Sequence, residues 1–107
     1  MGKRERGREP GDGTRNVRLQ ELIREELNFL LRGELRDPRL DGVTFTMVEL
    51  SPDGSRARAW FTAENYVEAL EALDGAAGFL RNDLAESLGL KRTPELRFRR
   101  DPVSRSL

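Results

Sequence analysis

The apolar positions of residues 16–35 recur at the spacing of an amphipathic helix. At 100° per residue, one side collects large apolar side chains, namely Leu19, Leu22, Ile23, Leu27, Phe29, Leu30 and Leu31. The other side collects polar residues, namely Glu21, Arg24, Glu25, Asn28 and Arg32. Thr14 or Asn16 can cap the start, and Asp37-Pro38 stops the helix because a residue before proline avoids helical dihedrals.

The pattern then changes to the alternation of strands. Residues 43–50 are rich in β-branched and aromatic side chains, which favour strands. Residues 56–62 alternate, so that Ala57, Ala59 and Phe61 point to the opposite side from Arg56, Arg58, Trp60 and Thr62. The intervening Ser51-Pro52-Asp53-Gly54 is typical of a turn. These segments therefore predict an antiparallel hairpin.

Helical spacing returns over residues 65–77 and 79–88, and residues 95–100 alternate as a third strand. The predicted inward side chains of this half are Tyr66, Ala69, Leu70, Leu73, Ala76, Ala77, Phe79, Leu80, Leu84, Leu88, Leu96 and Phe98. Gly89 is suited to end the second of these helices. The predicted element order is therefore α-β-β-α-α-β.

Two glycines, Gly75 and Gly78, flank the junction of the last two predicted helices. Each costs about 1 kcal/mol relative to alanine inside a helix, so a kink is expected here rather than a straight helix. Such a kink exposes backbone N–H groups and lacks bulky side chains, which suits a phosphate backbone. The alternative, which composition alone favours, is a kink that only fits two helices onto one small sheet.

The composition narrows the chemistry that this chain can perform. Its 107 residues have the size of one domain and include no Cys and no His. Disulfides, zinc fingers and catalysis by cysteine or imidazole are therefore excluded. No apolar run approaches the roughly 20 residues of a membrane span, and the first residues lack the apolar core of a signal peptide. The sequence therefore indicates a cytoplasmic protein without a membrane partner.

The charges are balanced overall but unevenly distributed. The 19 basic and 19 acidic residues give a net charge of zero, yet residues 63–90 carry net −5 and residues 91–107 carry net +4. Such a chain can present a basic face to a polyanion. Of the basic residues 17 are Arg, the better bidentate phosphate ligand, although a general coding bias toward Arg is the simpler explanation.

Residues 1–14 are polar and glycine-rich, and they predict a disordered N-terminal arm. A solvated leader is the simpler interpretation of this arm, and an RNA-touching arm is the alternative.

Four short strings carry a resemblance to a known family. They are Asp37-Pro38-Arg39-Leu40, Ser51-Pro52-Asp53, Ala76-Ala77-Gly78-Phe79-Leu80-Arg81 and Thr93-Pro94-Glu95-Leu96-Arg97-Phe98. With the RNVRLQELIREEL start, they make residues 15–101 resemble the bacterial ribosome-binding factor A family. Residues 102–107 are then a short C-terminal tail.

The resemblance implies a type II KH-like domain of the α+β class. Its order would be α-β-β-α-kink-α-β, with a three-stranded mixed sheet packed on helices. Ordinary KH domains clamp the nucleic-acid backbone with a GXXG loop. This sequence instead has Ala76-Ala77-Gly78, which resembles the Ala-X-Gly kink of the family.

The implied function is that of a ribosome assembly factor, which is not an enzyme and needs no cofactor. It would be a monomer when free and would bind the free immature small (30S) ribosomal subunit. There it would assist late maturation and processing of 16S rRNA, including the 5′ region, and support growth in the cold. Two other functions stay open: a generic KH-like RNA-binding protein outside the ribosome, and a small protein-interaction module.

The candidate RNA-binding residues are small residues at the kink and cations placed around it, namely Ala76, Ala77, Gly78, Arg81, Lys91, Arg92, Arg36 and Arg39. Arg81, one turn after Gly78, could meet a phosphate at the kink or remain solvated. Arg39 could instead tie its own turn together through Asp37 or Asp41.

A further basic row, Arg56, Arg58 and Trp60, points outward from the second strand. Basic side chains around an aromatic ring suit base stacking. The simpler interpretation is a solvated face of the sheet.

Overall fold

The computed structural model describes residues 10–102, and the side chains of residues 16–102. The elements in chain order are helix α1 (Pro10–Gly33), a 3-10 turn (Pro38–Leu40), strand β1 (Thr44–Leu50), strand β2 (Arg56–Thr62), helix α2 (Tyr66–Gly75), helix α3 (Ala77–Leu88) and strand β3 (Glu95–Arg100). The α-β-β-α-α-β order predicted from the sequence is confirmed. None of the helices within residues 10–102 is both long enough and apolar enough to cross a bilayer.

The ends of α1 differ from the prediction. The helix begins at Pro10 rather than residue 16, because proline fits the first helical turn. Residues 10–14 of the predicted arm are therefore part of this helix in the structure, and residues 1–9 lie outside the described residues. The helix ends at Gly33 rather than at residue 35. Asp37 lies beyond its end and caps the following 3-10 turn, where its side chain accepts the Arg39 N–H. Of the predicted tail, residues 103–107 lie outside the described residues.

The three strands form one mixed sheet in the order β1-β2-β3. β1 pairs antiparallel with β2, and β2 pairs parallel with β3. The hairpin turn is the predicted one, since Gly54 takes a φ of 76°. The Asp53 carboxylate accepts hydrogen bonds from the Ser55 N–H and from the Ser51 and Ser55 hydroxyls, which lowers the Asp53 pKa to about 2.

All three helices pack on one face of this sheet, so the fold has two layers. The inward alternation of the strands is confirmed, since Ala57, Ala59 and Phe61 are fully buried. Three aromatic rings occupy the centre of the core: the Phe45 centroid lies 6.2 Å from that of Phe61 and 6.0 Å from that of Phe98. The outward side chains of the strands remain exposed, so the second face of the sheet is open.

Three residues that the spacing predicts for the core are on the surface. Leu22, Phe29 and Phe79 are 46%, 58% and 44% exposed. In α1 the buried stripe is narrow, Ile23, Leu27 and Leu30, because the helix lies chiefly along β1 and leaves its flanks in solvent. In α3 the break before Ala77 turns the helix so that Leu80 and Leu84 face the core, and Phe79 projects away from it.

Two side-chain amides of α1 satisfy the backbone of the edge strand β1. The buried Asn28 donates from Nδ2 to the Phe45 carbonyl at 3.0 Å and accepts the Phe45 N–H at 2.8 Å. Two turns earlier in α1, the Oε1 of Gln20 accepts the Leu50 N–H at 2.9 Å. The position of Asn28 on the solvent side, predicted from helical spacing, is wrong, because the residue is buried. These bonds satisfy three backbone groups of the edge strand, which disfavours pairing of β1 with another strand at those positions.

α1 and α3 meet at a pair of carboxyl groups. Glu26 and Asp83 share a hydrogen bond, and the Ser87 Oγ lies 3.1 Å from Glu26 Oε2 and 3.3 Å from Asp83 Oδ2. The hydrogen bond with Asp83, followed by partial burial, raises the pKa of Glu26 above its ordinary value. The folded protein therefore binds this proton more tightly than the unfolded chain does, and stability falls as pH rises through the folded pKa.

We expect Glu26→Gln to stabilise the protein at pH 7, because the amide donates to Asp83 permanently and removes the like-charge contact. The gain should be about 0.2–1 kcal/mol, the size of an interaction between two charges near the protein surface. Urea denaturation at pH 7 and at a lower pH measures it, and the gain should shrink as the pH falls, because protonation of Glu26 lets the parent donate a similar hydrogen bond. Glu25→Gln, at the exposed neighbouring position, is the control. An equal gain at both pH values would contradict the shared proton.

Candidate nucleic-acid interface

The break between α2 and α3 falls at Ala76. Its φ and ψ are −95° and 2°, and its N–H donates to the carbonyls of Ala72 and Leu73 at 3.0 and 3.1 Å. Ala76 gives α3 no side-chain cap. The kink predicted from Gly75 and Gly78 is therefore confirmed, and α3 starts with backbone N–H groups that no cap side chain covers.

Neither glycine at the kink is required by the backbone or by internal packing. Among the described glycines a positive φ is found at Gly42, Gly54 and Gly89, and not at Gly75 or Gly78. A methyl group built at Gly75 or Gly78 would meet nothing within 4 Å. The protein's own packing thus gives no reason for glycine at these positions. This favours the interpretation that the glycines let a binding partner approach the kink closely.

Arg81 has partners that the sequence analysis did not foresee. Its Nε donates to the Pro94 carbonyl at 3.1 Å, and its Nη2 donates to the Thr93 carbonyl at 3.0 Å. The guanidinium therefore ties the first turns of α3 to the segment that leads into β3. The main role of Arg81 is therefore to position that segment. Two of its three guanidinium nitrogens already donate to backbone carbonyls, which leaves one for a phosphate.

The segment that Arg81 holds contains the two cations of the predicted basic loop. Lys91 and Arg92 are both exposed, and neither makes an ion pair with a described residue. The loop starts after Gly89, whose φ of 65° ends α3 as predicted, and it finishes at the buried Pro94. A loop fixed at both ends presents its two charges in a limited range of positions, which lowers the entropic cost of binding an anion.

Arg39 is paired within its own turn. Its Nη2 lies 2.7 Å from Asp37 Oδ2 and its Nε lies 3.1 Å from Asp37 Oδ1, while its Nη1 lies 3.7 Å from Glu71 Oε1. The hydrogen bonds from Arg39 lower the pKa of Asp37, and the same contact raises the pKa of Arg39. This geometry favours the turn-stabilising interpretation of Arg39. Arg36, at the same turn, is exposed.

The outward row of β2 is wider than the sequence analysis described. The parallel register places Arg58 beside Arg97 and Trp60 beside Arg99 of β3. The Arg58 guanidinium lies 5.7 Å from the centre of the Trp60 ring. The alternation of each strand predicted these residues as outward, but the pairing of β2 with β3 has no local signal in the sequence.

The described residues bring together no group of three or more carboxylates that could hold a metal ion. The described arrangement is thus one of cations, backbone donors and an aromatic ring, which can bind a phosphate backbone.

Comparisons with known proteins give one consistent result. The family model for ribosome-binding factor A matches residues 15–106. A ribosome-binding factor A of Azoarcus sp. is 42% identical over 96 residues, which cover 86% of this chain and 76% of the relative.

Solved structures agree with this match. The crystal structure of ribosome-binding factor A from Thermus thermophilus aligns with a TM-score of 0.76 at 31% identity, covering 79% of this chain and 93% of that one. A homology model of the Thermus thermophilus factor, fitted into a cryo-electron microscopy map of a complex with the 30S subunit, aligns with a TM-score of 0.71 at 31% identity, covering 82% and 97%.

Proposed function

The chain belongs to the ribosome-binding factor A family, and from this premise we propose that it is a ribosome assembly factor that binds the free small (30S) ribosomal subunit. The observation that carries the proposal is the likeness of its fold to the Thermus thermophilus factor fitted into a map of a 30S complex. The protein acts by binding and not as an enzyme.

The proposal extends to the stage at which the factor works. The chain binds the immature subunit in the cytoplasm as a monomer, assists late maturation of 16S rRNA including its 5′ region, and supports growth in the cold. Family membership supports these finer statements. A rigid two-layer domain with an exposed kink and a basic loop suits a factor that holds RNA without changing it covalently.

The RNA contact that we propose is the kink-loop surface, defined as Ala76, Ala77, Gly78, Lys91 and Arg92. Arg81 links its two parts, because it lies one turn after Gly78 and holds the carbonyls of Thr93 and Pro94. Uncapped N–H groups at the start of α3 and two exposed cations together suit a phosphate backbone. Arg36 is a further exposed cation among the proposed contacts, and Arg39 contributes less because Asp37 already neutralises it.

Sedimentation tests the proposal directly. At low salt the protein should comigrate with purified small subunits and should not comigrate with assembled ribosomes. A generic RNA-binding protein would spread over unrelated RNA, and a protein-interaction module would remain at the top of the gradient. Either of these distributions would contradict an assembly factor.

Gly78→Ala tests the kink-loop surface with little disturbance of the fold. The added methyl group meets nothing within 4 Å inside the protein, and alanine is the better helix former by up to about 1 kcal/mol. We expect thermal stability to be unchanged or higher while affinity for small subunits falls on the order of tenfold, as measured by co-sedimentation.

Gly33→Ala is the matched control, because its methyl group also meets nothing within 4 Å and it lies at the end of α1, outside the kink-loop surface as defined above. It should bind small subunits like the parent. Equal binding by Gly78→Ala and the parent would show that the kink only shapes the helix layer.

A further inference from the structure

The open face of the sheet carries a depression whose lining is unusually basic. Four arginines line it, two on β2 and two on β3: Arg56, Arg58, Arg97 and Arg99. The carboxylate in this lining belongs to Glu49 of β1, which lies 3.7 Å from Arg58. The depression therefore has an excess of positive charge even after that pair is counted.

Two of the four arginines in this depression form ion pairs and two do not. Arg58 contacts Glu49, and Arg97 lies 3.2 Å from Glu95 of its own strand. Within the described residues, Arg56 and Arg99 make no ion pair. Both lie on paired strands, where Arg56 is opposite Glu95 and Arg99 is opposite Trp60. Their backbones are therefore four register positions, or roughly 14 Å, apart.

An aromatic ring borders the same depression. Trp60 follows Arg58 on the outward side of β2, is half-buried, and lies beside Arg99 in the register. Beyond it lies an apolar hollow lined by Thr46, Met47, Trp60, Asp101 and Pro102. There Asp101 accepts a hydrogen bond from the Thr46 hydroxyl at 2.7 Å. The face thus changes along β2 from cationic to aromatic and apolar.

We propose that this face, the arginine-tryptophan face (Arg56, Arg58, Trp60, Arg97 and Arg99), binds a single-stranded segment of RNA. Phosphates would contact the arginines, and a base would stack on Trp60, a combination that binds single strands with little sequence preference. A duplex has its bases stacked inside and cannot offer one to Trp60. The inference rests on the proposed function, since it gives the assembly factor a second RNA contact on the opposite layer from the kink-loop surface.

The chain contains a single tryptophan, so its tryptophan fluorescence reports on this face. The probe is a ten-nucleotide oligouridylate, with a duplex RNA of equal length for comparison, added to the full chain. The single strand should quench Trp60 saturably, and the duplex should not. The double variant Arg97→Gln/Arg99→Gln should weaken this binding on the order of tenfold or more. Arg18→Gln, an exposed arginine on the helix layer, should leave it unchanged.

Three results would overturn the inference: no saturable quenching, equal weakening by Arg18→Gln, or equal quenching by polyglutamate, which would indicate an acidic protein partner. Sedimentation of the same protein with small subunits separates this failure from failure of the proposed function. Subunit binding without quenching would contradict RNA binding by the arginine-tryptophan face and would support the proposed function. Quenching without subunit binding removes the function and leaves the face as an RNA site.

Discussion

Replacing Asn28 with leucine should lower the free energy of unfolding by about 2–4 kcal/mol. The side chain of Asn28 satisfies both the N–H and the carbonyl of the buried Phe45, and each buried backbone group that loses its partner costs about 1–3 kcal/mol. Leucine has a similar volume, so it fills the site and keeps water away from both groups. Urea denaturation measures the loss, and the melting temperature should fall on the order of 10–20 °C.

Two further variants give this prediction its controls. Asn28→Ala should cost less than the leucine variant, because the smaller side chain lets water reach Phe45 from the neighbouring surface hollow that Asn28 lines. Asn82→Leu, at an exposed position of α3, should change stability by less than about 0.5 kcal/mol. A stability of Asn28→Leu within that margin of the parent would contradict the role of this amide.

The strands were the most predictable part of the fold. The bounds predicted for β2 and β3, residues 56–62 and 95–100, are those observed. A sheet with one buried face imposes a two-residue alternation that is written directly in the sequence. The break at Ala76 was also predictable from local sequence, because two closely spaced glycines disfavour a continuous helix.

The buried face of α1 was less predictable, because it depends on where the neighbouring strand lies. Helical periodicity gives a broad apolar side, and only contact with β1 selects Ile23, Leu27 and Leu30 from it. Asn28 was misplaced because its partner, the backbone of Phe45, is seventeen residues away. One signal could have found it: Asn28 is the single polar residue in the otherwise apolar run Leu27-Asn28-Phe29-Leu30-Leu31.

The residues of the candidate site were predictable from the sequence, but the contacts that link them were not. The kink residues and the exposed Lys91 and Arg92 follow from local sequence. The hydrogen bonds of Arg81 to Thr93 and Pro94 do not, because backbone carbonyls twelve and thirteen residues away leave no pattern. The pairing of β2 with β3, which assembles the arginine-tryptophan face, is likewise a long-range contact.

Raising the salt concentration should weaken binding to the small subunit steeply. Residues 91–107 carry net +4, and contact with about four phosphates predicts a slope of −3 to −4 for log affinity against log salt. From about 50 to 200 mM salt, the affinity should therefore fall by roughly 60- to 250-fold. Co-sedimentation with purified small subunits over a salt series gives this slope.

The double variant Lys91→Gln/Arg92→Gln shows how much of that slope belongs to the kink-loop surface. Each lost phosphate contact should reduce the magnitude of the slope by about 1, so the variant should retain a slope of about −1 to −2. Arg18→Gln removes one positive charge from the helix layer and should keep the slope of the parent. The double variant removes only exposed charges, so its melting temperature should match that of the parent.

A parent slope near zero would contradict phosphate binding altogether. An unchanged slope in the double variant would place the phosphate contacts elsewhere, with Arg97 and Arg99 of the open sheet face the next cations to neutralise.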